Sequence, residues 1–173
     1  MQNILLILGT ARQENMSQKA FNFVHEVLNN NPNLQVTPLY VSDFLSSRTQ
    51  ELQGSKLEAY KNLISNADGL IIVSPEYNHS FPGELKLLLD NAYSEYNGKP
   101  VAICGVSDGA YGGARMAEQL KLVLSAFQMN IINASVNFTF VKEVFLEDGS
   151  MHKIDLYTQK VNGMVESMIK YSK

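Results

Sequence analysis

Short, continuously apolar segments alternate with longer amphipathic segments along the chain. The apolar runs cover residues 4–8, 69–73 and 101–106. A run without polar alternation is typical of a β-strand that is covered on both faces, as in a parallel sheet. Residues 34–41 and 131–140 predict two further strands. Pro38 favours an edge position for the first of these, because proline cannot donate a hydrogen bond to a neighbouring strand.

Between the predicted strands, apolar residues recur at steps of three and four positions, which indicates helices with one buried face. Ala20, Val24 and Leu28 belong to the first of these stripes. Similar stripes lie within residues 57–64, 85–92, 116–127 and 156–171. Residues 42–55 are polar and irregular, and they predict no regular element.

The alternation of strand and helix predicts an α/β fold. Helices would cover both faces of a five-stranded parallel sheet, which gives a three-layer, doubly wound arrangement. A chain this short favours the flavodoxin-like strand order 2-1-3-4-5 over the larger dinucleotide-binding fold. The length of 173 residues indicates a single domain over residues 1–173.

Composition narrows the classes of function. The formal net charge is −3 and the chain has no basic cluster, which argues against nucleic acid as a partner. No apolar run approaches the ~18 residues that span a membrane, and no signal peptide begins the chain, so we expect a soluble cytoplasmic protein. Cys104, the single cysteine, lies in a predicted buried strand and is expected to be structural. The scattered His25, His79 and His152 predict no metal site.

The most informative residues follow three of the predicted strands, whose carboxyl ends should lie along one edge of the sheet. The first loop contains Gly9, Thr10, Arg12 and Ser17. Two hydroxyl groups, a guanidinium and the start of a helix suit a phosphate monoester. The alternative is an ordinary turn in which Asn15 or Ser17 caps the helix.

The second loop begins at Pro75, Glu76, Tyr77 and Asn78. Tyr77 can pack beside a flat ring, Asn78 offers donor and acceptor groups, and backbone N–H groups from Glu76 onward can reach ring heteroatoms. The alternative is a turn in which Tyr77 acts as a lid.

The third loop contains Ser107, Gly109, Tyr111 and Gly112. Its glycines would let the backbone approach a ligand closely, with helix capping as the alternative. Together, a phosphate cradle and a flat polar site favour flavin mononucleotide (FMN). A dinucleotide would usually require a glycine fingerprint that the chain lacks.

These loops resemble those of the NADPH-dependent FMN reductase family, which includes quinone, azo-dye and chromate reductases. The first loop resembles the family pattern Gly-Ser-x-Arg followed by a serine, with Thr10 in place of the first serine. The second is similar to Pro-Glu-Tyr-Asn-His-x-x-Pro-Gly-x-Leu-Lys. The third matches a glycine-rich run at Ser107, Gly109, Gly112, Gly113 and Arg115.

The resemblance implies non-covalent FMN and two-electron transfer from NADPH or NADH to a small electron acceptor by a ping-pong scheme. Thr10, Arg12 and Ser17 would contact the phosphate. Residues 75–78 and 107–112 would lie on two sides of the flavin ring. The family also implies a homodimer or homotetramer whose paired surfaces help to build the site.

No side chain is assigned a catalytic role, because the cofactor supplies the chemistry in such enzymes. Two other interpretations of the same flavin site stay open. One is a flavodoxin-like electron carrier, and the other is an interaction protein that senses the redox state of the flavin.

Overall fold

A parallel β-sheet forms the centre of the protein in a computed structural model that describes residues 1–44 and 52–171. The strand order β2-β1-β3-β4-β5 confirms the predicted flavodoxin-like order, and β6 also pairs with β4. The strands are β1 Gln2–Leu8, β2 Leu34–Tyr40, β3 Gly69–Pro75, β4 Pro100–Val106, β5 Asn130–Ile131 and β6 Val136–Phe138.

The predicted fifth strand, residues 131–140, is the part of the sheet that the prediction described wrongly. Two short strands replace it: β5 pairs Ile131 with Val101, and β6 pairs Val136 with Cys104. The intervening segment is two residues longer than the stretch of β4 that it faces. A local turn, in which the Ser135 N–H donates to the Asn133 carbonyl at 3.0 Å, accommodates the extra length.

Helices cover both faces of the sheet. Helices α1 and α7 pack on one face, and α3, α4 and α5 pack on the other. The predicted irregular segment, residues 42–55, overlaps α2 and the start of α3, while its residues 45–51 lie outside the described part. The helices are α1 Met16–Asn29, α2 Val41–Phe44, α3 Gly54–Asn66, α4 Gly83–Leu89, α5 Ala114–Ala126, α6 Val141–Val144 and α7 Ile154–Tyr171, with a 3-10 turn at Ser94–Tyr96.

The continuous apolar runs have a simple structural reason. Along β1, Leu6 faces the α1 and α7 layer while Leu5 and Ile7 face the opposite layer, so every position from Ile4 to Leu8 is buried. Cys104 lies on β4 against Met164, and burial raises the pKa of its thiol to about 12. This confirms that Cys104 is a buried core residue. Pro38 lies on β2, at the predicted edge of the sheet.

The register of the central strands brings the three loops together. Leu8 at the end of β1 pairs with Val73, two residues before the end of β3, and Pro75 pairs with Val106 at the ends of β3 and β4. The loops that follow β1, β3 and β4 therefore leave the sheet side by side. Within the described residues, no helix is both long and apolar enough to cross a membrane.

Candidate cofactor site

A cleft of about 290 Å³ lies where the three loops meet at the carboxyl edge of the sheet. Residues from all three loops line it, and α6 adds a fourth side. A second cleft of about 550 Å³ adjoins it and shares Arg12, Glu14 and Asn15. The predicted site residues that line the first cleft are Arg12, Ser17, Pro75, Glu76, Tyr77 and Ser107.

The first loop turns sharply off β1 at Gly9. The Gly9 N–H donates to the Val73 carbonyl at 2.8 Å. A Cβ at this position would lie 3.0 Å from the Leu85 side chain and 3.2 Å from Cβ of Ser74. Packing against Leu85 of α4 and against Ser74 therefore disfavours a side chain here even without a ligand, and the predicted contact of Gly9 with a cofactor stays a prediction.

The start of helix α1 points its free N–H groups toward the cleft. Asn15 is the cap, since its side-chain oxygen accepts from the Gln18 N–H at 2.8 Å. The N–H groups of Met16 and Ser17 have no acceptor within the helix, as in every first turn. Ser17 is buried, and Arg12 is exposed and forms no ion pair with a described residue. Ser17, Arg12 and the helix end together form a candidate anion-binding corner, since they supply the donors and the positive charge that an anion would require.

Thr10 links the first two loops through a short chain of hydrogen bonds. Its hydroxyl lies 3.1 Å from the Tyr77 hydroxyl and donates to the Glu84 carboxylate at 3.1 Å. The same carboxylate oxygen accepts from the Ala11 N–H at 3.1 Å. The Arg12 N–H donates to Thr10 at 3.2 Å. The side chain of Thr10 is thus fully engaged within the protein.

The second loop folds back on itself as a tight two-residue turn. Tyr77 and Ser80 exchange both backbone hydrogen bonds, at 2.8 and 3.0 Å. The central residues Asn78 and His79 have φ angles of 49° and 67°. Both φ angles are positive, as in a type I′ turn, which asparagine accommodates better than most residues. Asn78 lies exposed at the tip and does not line either cleft.

Glu76 ties the second loop to helix α5. Its carboxylate accepts from the Met116 N–H at 3.4 Å and lies 3.8 Å from the Arg115 guanidinium. Helix α5 begins after Gly113, which has no side chain to cap it, so Glu76 supplies the cap from a distant part of the sequence. The Arg115 guanidinium also lies 4.7 Å from the centre of the exposed Tyr111 ring.

The glycines of the third loop divide into two kinds. A Cβ at Gly112 would lie 2.9 Å from Thr139, and one at Gly113 would lie 2.8 Å from Gly105. Both have positive φ, so close packing against β4 and the segment after β6 requires glycine there. A Cβ at Gly109 would make only an ordinary contact, 3.8 Å from the Ser107 hydroxyl, and the φ of Gly109 is not among the positive ones. Of the predicted loop glycines, Gly109 is therefore the one whose missing side chain the fold does not explain.

Sequence reasoning missed a fourth segment beside the site. The Phe140 N–H donates to the Gly109 carbonyl at 3.2 Å, and the Val141 N–H donates to Ser107 at 3.1 Å. Lys142 lines the cleft and pairs with Asp108 at 2.7 Å. Phe140 has a φ of 46°, which is strained for a bulky residue. Nothing in the local sequence signals this arrangement, because it depends on the break between β5 and β6.

The site contains cationic and anionic groups in comparable number. Lys142 and Arg115 are each engaged by a carboxylate, which leaves Arg12 as a positive group without such a partner among the described residues. In residues 1–44 and 52–171, the His, Cys, Asp and Glu side chains form no group suited to a metal ion. The donors that converge here suit an anionic organic ligand.

The fold and the converging loops define a flavodoxin-like α/β protein with a candidate mononucleotide site. The chain belongs to the NADPH-dependent FMN reductase family, whose sequence model matches residues 2–143. It is therefore an oxidoreductase of the class that uses FMN and NAD(P)H, as the resemblance of the three loops implied.

Two relatives illustrate this membership. A protein of Schizosaccharomyces pombe named NAD(P)H-dependent FMN reductase is 32% identical over 138 residues, which cover 74% of this chain and 68% of that protein. A quinone reductase of Escherichia coli is 33% identical over 136 residues, which cover 75% and 65% of the two chains.

A solved structure shares the whole fold. The flavoenzyme FerB of Paracoccus denitrificans, an NAD(P)H:(acceptor) oxidoreductase, matches with a TM-score of 0.79 over 99% of each chain. Its sequence identity is 21%, so this likeness concerns the fold alone.

Proposed function

We propose that the protein binds FMN non-covalently in the cleft at the carboxyl edge of the sheet and reduces small electron acceptors, quinones first, at the expense of NAD(P)H. The convergence of three loops on one cleft, with an anion-binding corner at one end, carries this proposal. The names of relatives that reduce FMN and quinones support the same reaction class.

The anion-binding corner would hold the phosphate of FMN. Arg12 offers an uncommitted guanidinium, Ser17 offers a hydroxyl, and the first turn of α1 offers N–H groups and the positive end of the helix dipole. A charge-assisted contact with a phosphate is among the stronger hydrogen bonds in proteins. We assign Arg12 the largest share of the affinity for the phosphate.

The second and third loops would enclose the flavin ring. Pro75 and Tyr77 line one side of the cleft, and Ser107 lines another. The carboxylate of Glu76 is committed to helix α5, so Glu76 positions its loop rather than contacting the ring through its side chain. Asn78, Gly109, Tyr111 and Gly112 lie outside the cleft, and their contact with FMN stays a prediction.

When bound, FMN supplies the hydride and electron chemistry, and the residues of the chain bind and orient. The cleft is open to solvent, so the nicotinamide and the acceptor can use one place in turn. The proposal therefore includes a ping-pong scheme and gives no described side chain a role in proton transfer.

We also propose that the protein is a homodimer or homotetramer that acts in the cytoplasm. Two large apolar side chains, Tyr93 and Leu122, are 62% and 75% exposed on neighbouring elements. A second copy that covered both side chains would remove their apolar surface from water, which favours association. Sedimentation of the purified protein tests the assembly.

One experiment tests the enzymatic proposal. The protein reconstituted with FMN is mixed with NADPH or NADH, and nucleotide oxidation is followed with and without a benzoquinone. We expect quinone-dependent oxidation, with parallel lines in double-reciprocal plots because the two substrates bind in turn. FMN binding without NAD(P)H oxidation would instead support an electron carrier. A protein that binds no FMN would refute both.

A further inference from the structure

Glu84 contacts the phosphate loop although the sequence patterns do not mark it as a site residue. It lies in the first turn of α4, and its carboxylate reaches across to the loop that follows β1. One carboxylate oxygen accepts from both the Thr10 hydroxyl and the Ala11 N–H, each at 3.1 Å. A negative charge therefore lies next to the loop that would hold the phosphate of FMN.

The hydrogen-bond directions at Thr10 follow from counting protons. A threonine hydroxyl has one proton and two acceptor positions. The proton goes to Glu84, because an ionised carboxylate can only accept. The acceptor positions take the Arg12 N–H and, by elimination, the proton of the Tyr77 hydroxyl. Thr10 therefore has no proton left for a phosphate.

We propose that Glu84 is a specificity-determining residue that limits how strongly the phosphate of a flavin is held. It occupies two donors of the first loop, at Thr10 and Ala11, and it repels an anion bound at Arg12 and Ser17. As a consequence, bound FMN can dissociate and exchange with free FMN in solution. This inference rests on the proposed FMN site, and it assigns Thr10 to loop geometry rather than to phosphate contact.

The test compares the dissociation constants of FMN and riboflavin, which differ only in the phosphate, by quenching of flavin fluorescence. Glu84→Gln keeps the shape and an acceptor oxygen but removes the charge. We expect FMN to bind about two- to fivefold more tightly and riboflavin to be unchanged, which is the range of a partly screened charge pair. The gain should shrink as salt is added.

Glu26→Gln is the matched control. It removes the same charge from the far end of α1, roughly 13 Å along the helix from Ser17. We expect it to leave both constants unchanged. An equal gain in this variant would assign the effect of Glu84→Gln to net charge alone and overturn the proposal.

Thr10→Val, alone and combined with Glu84→Gln, provides a second readout. If the Thr10 proton belongs to Glu84, the two changes are coupled, so the effect of Glu84→Gln on FMN affinity differs between the parent protein and the Thr10→Val variant. Equal effects in the two backgrounds would show that Thr10 and Glu84 act independently and would overturn the proposal. In Glu84→Gln, an unchanged ratio of the FMN and riboflavin dissociation constants would also overturn the proposal. A wild-type protein that binds neither flavin would instead refute the proposed function.

Discussion

Two chains of hydrogen-bonded hydroxyl groups, each with a tyrosine at its start, lie in opposite environments of this protein. In the core chain, the Tyr60 hydroxyl bonds to that of Tyr96, which donates to the Leu89 carbonyl at 3.2 Å. Both of these side chains are completely buried. In the edge chain, the hydroxyl of the half-buried Tyr77 bonds to the Thr10 hydroxyl, which donates to the half-buried Glu84 carboxylate.

The difference lies in where each chain ends. The core chain ends on a neutral backbone carbonyl, and neither of its tyrosines lines the clefts of the candidate site. The edge chain ends on a charge and fixes a loop that faces a cleft. The same hydroxyl chemistry therefore contributes to stability in the first place and to ligand geometry in the second. Substitutions in the two regions should separate these roles.

The largest expected effect belongs to the edge region. Arg12→Ala should weaken FMN binding about ten- to hundredfold, because it removes a charge-assisted contact with the phosphate. It should leave the melting temperature unchanged, since Arg12 is exposed and unpaired with any described carboxylate. Titration of flavin fluorescence measures the affinity. Lys170→Ala, an exposed change on α7, is the control, and an equal loss in that variant would contradict a specific role for Arg12.

Substitutions in the core chain should change the stability of the protein and leave its affinity for FMN unchanged. Tyr96→Phe leaves the buried Tyr60 proton without a partner and removes one of the two donors to the Leu89 carbonyl, which keeps the Ala92 N–H at 3.3 Å. This loss should lower the free energy of unfolding by about 1–3 kcal/mol. Tyr60→Phe should cost less, because Tyr96 can still donate to Leu89. Urea unfolding measures both. FMN affinity should be unchanged, and equal costs for the two variants would contradict the assigned direction of the chain.

The sequence predicted the fold well and the site in part, for different physical reasons. Continuous apolar runs reveal buried parallel strands locally, so the order and the three loop positions could be inferred. The break at Asn133 and Ser135 could not, because it depends on how residues 130–138 pair with β4. The alternation of helix and strand located Arg12 and Ser17 correctly at a helix start.

Contacts across the fold explain what the sequence did not reveal about the site. Glu84 meets Thr10 from 74 residues away, and Glu76 caps a helix 40 residues later. No local pattern encodes such pairs. Gly9 and Gly112 were predicted to serve a ligand, yet packing alone disfavours a side chain at Gly9, and packing with a positive φ requires glycine at Gly112.

Alkaline pH should act on the core chain. Burial raises the pKa of both Tyr60 and Tyr96 above the ordinary value. Their stabilising contribution is therefore complete below the unfolded-state pKa of about 10 and is lost as pH rises toward the folded values. At pH 11, the ionisation of one such tyrosine in the unfolded state should lower the free energy of unfolding by about 1.4 kcal/mol relative to neutral pH. Between pH 9.5 and about 11, the free energy of unfolding should therefore fall less in the Tyr60→Phe/Tyr96→Phe double variant than in the parent protein.

Burial also raises the pKa of the Cys104 thiol to about 12. An unfolded thiol ionises at lower pH than an unfolded tyrosine, so the loss of stability due to Cys104 begins at lower pH than the loss due to the tyrosines. This contribution is common to the parent and the double variant and cancels in their difference. An identical pH dependence in the two proteins would show that the buried tyrosines do not control alkaline unfolding.

The smallest expected effect tests whether the edge chain differs from the core chain at all. Tyr77→Phe removes the proton donated to Thr10 and should weaken FMN and riboflavin equally, by about two- to tenfold, because the tie between the first two loops is lost. Its cost in stability should be smaller than that of Tyr96→Phe, since water can replace a lost partner at a half-buried group. Unfolding and flavin titration of the two variants side by side measure this. If Tyr77→Phe destabilises the protein as strongly as Tyr96→Phe while flavin affinity is unchanged, the edge chain is part of the structural core and the distinction between the two chains is wrong.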